Sequence, residues 1–160
     1  MNYQIKEKLF TFGNTFDILD EGGRPAFHVK GQVFSWGKKL SFQNMSGAEL
    51  AFIQQKPALF RTEYHILQNG RPMVEMMKRP TFFKPVFDMN LAGRGPVEVQ
   101  GNFIAHEFKF EHRGQVLAHV SKARWSWSDS YGVSIADGED DVLFLAACIV
   151  IDQVLHDGKD

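Results

Sequence analysis

The stretch Asp137-Gly138-Glu139-Asp140-Asp141-Val142-Leu143-Phe144-Leu145-Ala146-Ala147-Cys148-Ile149-Val150-Ile151 decides the fold of this chain. From Val142 to Ile151 every residue is apolar. A run this short does not span a bilayer, which takes roughly 20 apolar residues. Periodicity alone fits a buried strand as well as a helix. The length of the run and its Leu-Ala-Ala-Cys interior favour a helix. The carboxylates ahead of it suit a helix N-terminus, where free N–H groups and the positive dipole end lie. They lack the Asp-x-Asp-x-Asp-Gly order of a calcium loop. We therefore expect a helix over about 139–155. A helix with no polar face must be covered on all sides, so the rest of the chain has to enclose it.

The rest of the chain repeats itself three times. Phe16-Asp17-Ile18, Tyr64-His65-Ile66 and Phe108-Lys109-Phe110 each lead into a turn glycine, at Gly23, Gly70 and Gly114. Apolar residues follow four and six positions past each glycine: Phe27 and Val29, Val74 and Met76, Ala118 and Val120. Period two on both sides of a glycine turn is the pattern of a β-hairpin. Asn69-Gly70 is the strongest of the three turn signals. After each hairpin come a lysine and an aromatic cluster: Phe34 with Trp36, Phe82 with Phe83, Trp125 with Trp127. A further strand-like piece follows each, at Lys39–Gln43, Val86–Asn90 and Tyr131–Ala136. The glycines lie 47 and 44 residues apart, room for about four short strands per unit.

Twelve strands would leave hazardous free edges unless the sheet closes on itself. A propeller typically needs at least four blades, and a β-trefoil has no space for an all-apolar helix. The pattern thus predicts a mainly β fold: a closed twelve-stranded antiparallel barrel of three four-stranded units over residues 1–136, with the C-terminal helix inside. One domain of 160 residues can bury such a core without staples.

Apolar residues make up 44% and charged residues 23%, which excludes a disordered chain. The net charge of −1 gives no global field for nucleic acid. A single cysteine, Cys148, excludes a disulfide scaffold and a thiolate zinc site, and reads as an inert buried thiol. The start, Met1-Asn2-Tyr3-Gln4-Ile5-Lys6-Glu7-Lys8, has no apolar signal region, so a cytoplasmic setting is expected. Asn44-Met45-Ser46 matches a glycosylation sequon but has no matching context there.

Motifs for chemistry are absent. Ser126, Ser128, Asp129 and Ser130 lack a nucleophile elbow and alternate as strand residues do. His106-Glu107 opens like a zincin helix, but the second histidine, His112, is six residues on rather than four. Read as a strand, His106 to His112 puts both rings on the face of Phe108 and Phe110, about 20 Å apart and unable to share a metal. Gly93-Arg94-Gly95-Pro96 lacks the third glycine of a dinucleotide loop. No catalytic residue, metal or cofactor is assigned, and no enzyme activity is expected.

The chain resembles the LURP-one-related family, placed in the tubby-like superfamily with the phospholipid scramblases. The resemblance covers nearly the whole chain. It is carried by Ile5-Lys6-Glu7-Lys8, by Phe16-x-Ile18-x-Asp20-Glu21-x-Gly23, and by Val29-Lys30-Gly31 with Ser35-x-Gly37-Lys38-Lys39-Leu40. Val99-x-Gly101-Asn102, Val120-Ser121-Lys122 and the ending Ala146-Ala147 through Ile151-Asp152 complete it. It implies the same barrel around a hydrophobic helix. Tubby domains bind phosphoinositide headgroups and scramblase-like relatives associate with lipid. No lipid-site residue of theirs matches a position here.

Charge divides the chain. Residues 1–136 hold 17 Lys and Arg against 12 Asp and Glu, a balance of +5, and residues 137–160 hold one Lys against seven acids, a balance of −6. In Lys78-Arg79-Pro80-Thr81-Phe82-Phe83-Lys84-Pro85 the cations flank aromatics, as on a surface that meets anionic lipid. The competing reading is that Phe82 or Phe83 turns inward, because adjacent strand residues face opposite sides. Lys38, Lys39, Lys122 and Arg124 are further candidates. Two functions remain open: a non-catalytic module recognising anionic phospholipid headgroups peripherally at a membrane, or a protein-interaction scaffold. An enzyme with a site at the barrel mouth is a third, without a motif in its favour. Partner identity and oligomeric state are not encoded in any motif.

Overall fold

The computed structural model describes residues 1–6, 15–32, 37–59, 61–122 and 130–157. The strands are β1 (Asn2–Lys6), β2 (Thr15–Asp20), β3 (Pro25–Gln32), β4 (Lys39–Asn44), β5 (Glu49–Lys56), β6 (Thr62–Gln68), β7 (Arg71–Lys78), β8 (Phe87–Leu91), β9 (Gly95–Asn102), β10 (Glu107–His112), β11 (Gln115–Ser121) and β12 (Ser130–Ile135). One helix, α1 (Asp141–Asp157), follows. The twelve strands run antiparallel in sequence order and close into a barrel where β1 joins β12. The fold class is therefore the one the repeat predicts. Phe34, Trp36, Arg124, Trp125, Ser126, Trp127, Ser128 and Asp129 lie outside the described residues.

The repeat governs the register. Phe16, Ile18, Val29, Tyr64, Ile66, Val74, Met76, Phe108, Phe110, Ala118 and Val120 all point into the core. Each of the three hairpins shifts register at the same place, after Ile18, Ile66 and Phe110. Ala26, Met73 and Leu117 are the extra residues on the returning strands, and all three pack against the core. A bulge bends the strand and increases its twist, which closure requires. Asn69-Gly70 and Arg113-Gly114 both turn with positive φ at each residue, matching the twist of the flanking strands. The fourth strand of the third unit is β1, so the two ends of the barrel sequence meet in one seam.

Gly101 is the glycine most closely approached by a neighbouring strand among the described residues. Its φ is 137°, and a Cβ there would lie 2.4 Å from the Glu107 carbonyl oxygen and 2.6 Å from the Phe108 Cα. β9 and β10 pair there, Gly101 opposite Phe108, with no room for a side chain.

α1 fills the barrel. Leu143 through Ile151 are all buried, together with Gln153 and Val154. It begins at 141 rather than the expected 139 because Asp140 is its cap. The Asp140 Oδ1 accepts from the Val142 and Leu143 amides at 3.0 and 3.3 Å, and Gly138 takes a φ of 84° in the turn before it. The entry end is fixed by Tyr3, whose hydroxyl donates to Asp141 at 2.5 Å, and by Arg94, which holds Glu139 at 2.8 Å. Burial pushes the Cys148 thiol well above its ordinary range, which keeps it an inert apolar filler.

Tyr64 is fully buried and its hydroxyl has no partner among the described residues. An unpaired buried hydroxyl costs about 1–3 kcal/mol. Tyr64→Phe is therefore expected to stabilise the protein by about 1 kcal/mol, read as a higher urea midpoint at unchanged slope.

Candidate functional site

Because each strand pairs with its sequence neighbours, successive connections alternate between the two ends of the barrel. The turns after β2, β4, β6, β8 and β10 and the segment into α1 share one end. The connections after β3, β5, β7, β9 and β11, of four to eight residues, share the other, where α1 terminates. We call the first the tight-turn end and the second the wide-loop end.

The two ends differ in charge. Among the described residues, the wide-loop connections carry Lys38, Arg61, Arg79, Lys84 and Lys122 and no Asp or Glu. Lys39, Lys56 and Lys78 add to them at strand ends. The tight-turn connections carry Arg24, Arg94 and Arg113 against Glu21, Asp137, Glu139 and Asp140. The described connections of the wide-loop end are thus basic, with Glu63, Asp88 and Glu107 at the adjoining strand ends.

All six described sequence candidates lie at that mouth, but not in one place. Lys38 and Lys39 flank the β3–β4 connection, Lys78, Arg79 and Lys84 belong to β7–β8, and Lys122 to β11–β12. These connections are a third of the ring apart, at equivalent points of the three units. Their tasks also differ. Lys38 forms an ion pair with Asp157 at the end of α1 and so holds the helix. The backbone amide of Lys122 donates to Glu107 at 2.8 Å. Arg79 grips both oxygens of Asp88 at 2.8 and 2.7 Å, which holds the Asp88 carboxyl below the ordinary carboxylate range. Lys84 is exposed, and Lys78 stands at the rim on the inward alternation of Val74 and Met76. Neither Lys78 nor Lys84 has a carboxylate partner among the described residues.

The β7–β8 connection is a built projection. Its base closes through the Arg79 amide to the Val86 carbonyl at 2.8 Å, and its tip through the Thr81 hydroxyl to the Lys84 carbonyl at 2.5 Å. Phe82 and Phe83 occupy the tip and are 100% and 98% exposed. The alternative in which one of them turns inward fails because the segment is not a strand: β7 ends at Lys78, and Pro80 and Pro85 bar ladder pairing. The neighbouring connections add Leu59, 92% exposed, and Ile104, 66% exposed. Sequence reasoning passed over Leu59, Ile104 and Arg61. The signal for Leu59 is its place behind Pro57, outside any alternating run.

One cluster of titratable groups sits inside the same mouth. His106 Nε2 lies 3.0 Å from Asp152 Oδ1, and the Tyr131 hydroxyl donates to Asp152 Oδ2. The His106 and Tyr131 rings stack at 4.3 Å. His106 is not the first residue of a strand, as its pattern predicted. It has a φ of 53°, precedes β10, and turns toward α1, whereas His112 bonds the Pro96 carbonyl at 3.0 Å. Both oxygens of Asp152 are engaged and its side chain is 9% exposed, so the cluster pins the end of α1 to the wall. No set of three His, Cys, Asp or Glu that could hold a metal occurs among the described residues.

The sequence model of the LURP-one-related family matches residues 1–152. The chain belongs to the LURP-one-related family. It is 35% identical over 156 residues to YxjI, an uncharacterized protein of Bacillus subtilis (strain 168), covering 98% of this chain and 94% of that one. A protein of Arabidopsis thaliana solved by X-ray crystallography superposes with a TM-score of 0.66 at 16% identity, over 96% of this chain and 90% of the other. That likeness shows a shared fold. No helix among the described residues is long and apolar enough to cross a membrane.

Proposed function

We propose that this protein is a non-catalytic binding module that recognises anionic phospholipid headgroups, docking peripherally on a membrane through its wide-loop end. The observation that carries this reading is the gathering of cations without carboxylates in the described connections of that end. Each Lys or Arg near an anionic surface contributes about 1 kcal/mol, so several acting together hold a protein reversibly. Lys84 is exposed and Lys78 stands at the rim, and neither has a carboxylate partner among the described residues. The exposed chains of Arg61 and Arg79 add to them, although both pair with neighbouring carboxylates. The non-catalytic part of the reading is supported by His106, Asp152 and Tyr131, which are tied to one another as a clasp on α1.

Co-sedimentation with vesicles tests it. The protein is expected to pellet with vesicles containing phosphatidylserine, to stay in solution with pure phosphatidylcholine, and to be released as salt rises from about 0.1 M, where the screening length is about 10 Å. Lys78→Glu with Lys84→Glu should weaken binding at least about tenfold, since two charges are reversed. Equal recovery in the supernatant with both lipids would refute the reading.

A further inference from the structure

We propose that the wide-loop end inserts into an anionic bilayer: Phe82 and Phe83, with Leu59 and Ile104 beside them, form an apolar wedge that enters the acyl boundary. This rests on the headgroup reading above and goes beyond it, because charge alone would leave these side chains in water.

Three observations support it together. The first is position. The connections β5–β6, β7–β8 and β9–β10 follow one another around the wide-loop rim, so their four exposed apolar side chains share one arc. Among the described residues the other exposed large apolar side chains, Met1, Met45 and Val116, are at the tight-turn end and are 65%, 53% and 42% exposed. The second is construction. The β7–β8 loop is closed at its base by Arg79 to Val86, clamped by Arg79 to Asp88, and turned at its tip by Thr81 to Lys84. Two phenyl rings are therefore held out on a braced support, and no core residue is left behind by their position. The third is charge complementarity. Arg61, Lys78, Arg79 and Lys84 surround the wedge, and the described residues of these three connections include no carboxylate. Cations around an apolar tip suit an anionic interface, where basic groups stay at headgroup level and apolar groups enter about 5–10 Å.

Insertion and charge attraction respond differently to salt. Apolar burial is not screened by salt, whereas the lysine contribution fades over the Debye length.

The experiment compares the wild type, F82S/F83S and F82L/F83L on vesicles of phosphatidylserine and phosphatidylcholine, at low and high salt. Because both positions are fully exposed, the variants should unfold at the wild-type temperature, checked by circular dichroism. F82S/F83S is expected to bind at least tenfold more weakly than wild type at both salt concentrations, and F82L/F83L to bind within threefold of wild type. Millimolar glycerophosphoserine, which has the headgroup without the chains, should leave the bound fraction unchanged. Equal partitioning of wild type and F82S/F83S overturns insertion while leaving the headgroup reading intact. Failure of the wild type to bind anionic vesicles overturns both. Displacement by glycerophosphoserine overturns insertion, because the headgroup alone would then suffice. Self-association of the wild type in sedimentation velocity without lipid, lost in F82S/F83S, also overturns it and assigns the wedge to a second copy of the chain.

Discussion

Ile149→Asp is expected to abolish folding. Ile149 is fully buried near the middle of α1, enclosed by the barrel. An aspartate placed there is enclosed by apolar side chains, and it costs several kcal/mol either as an unpaired buried charge or as a carboxyl forced to take up a proton and still unpaired. A domain of this size has only about 5–15 kcal/mol of stability in total. The loss of packing around the isoleucine adds to the penalty. Far-UV circular dichroism should show no cooperative transition, and the chain should appear in the insoluble fraction. Two controls isolate the cause. Ile149→Val should cost about 0.5–1.5 kcal/mol. Leu155→Asp, on a half-buried position past the enclosed segment, should leave a cooperative fold. A native carboxylate does occur on α1, at Asp152, and it is tolerated because Tyr131 and His106 occupy both its oxygens.

Gly101→Ala is expected to destabilise the barrel by about 3 kcal/mol or more. A φ of 137° is open only to glycine, and the new methyl would overlap the Glu107 carbonyl and the Phe108 backbone. Those atoms belong to β10, so relief requires parting β9 from β10 in a sheet that has no slack edge. Gly47→Ala is the matched control: its φ is 87° and nothing lies within 4 Å of the new Cβ. It pays only the left-handed conformation, about 1–2 kcal/mol. A denaturant series should separate the two by the contact term alone. Equal loss in both would mean that conformation, not the close approach of strands, is the constraint at Gly101.

The architecture was legible because two signals required each other. An apolar run with no polar face demands enclosure, and three period-two hairpins supply enough strands to enclose it. What escaped depended on contacts and backbone angles that no short pattern carries. The role of β1 as the missing fourth strand of the third unit depends on closure through Tyr3 and Val133, a contact 130 residues apart in sequence. The His106 turn depends on a positive φ that a histidine rarely adopts, so its alternation with Phe108 misled. The exposure of both Phe82 and Phe83 could have been read from Pro80 and Pro85, which end strand pairing on either side. The candidate cations fall in separate runs of the sequence, and the common end of the described ones follows only from up-and-down connectivity. That same connectivity placed Leu59, Ile104 and Arg61 beside them.

The most direct test of this account is amide hydrogen exchange on the full chain, with and without vesicles containing phosphatidylserine. Slower exchange is predicted within 57–61, 79–86 and 103–106, with the tight turns at 21–24, 45–48 and 113–114 unchanged. Slowing at the tight turns instead, or no change anywhere while the protein is vesicle-bound, would contradict it.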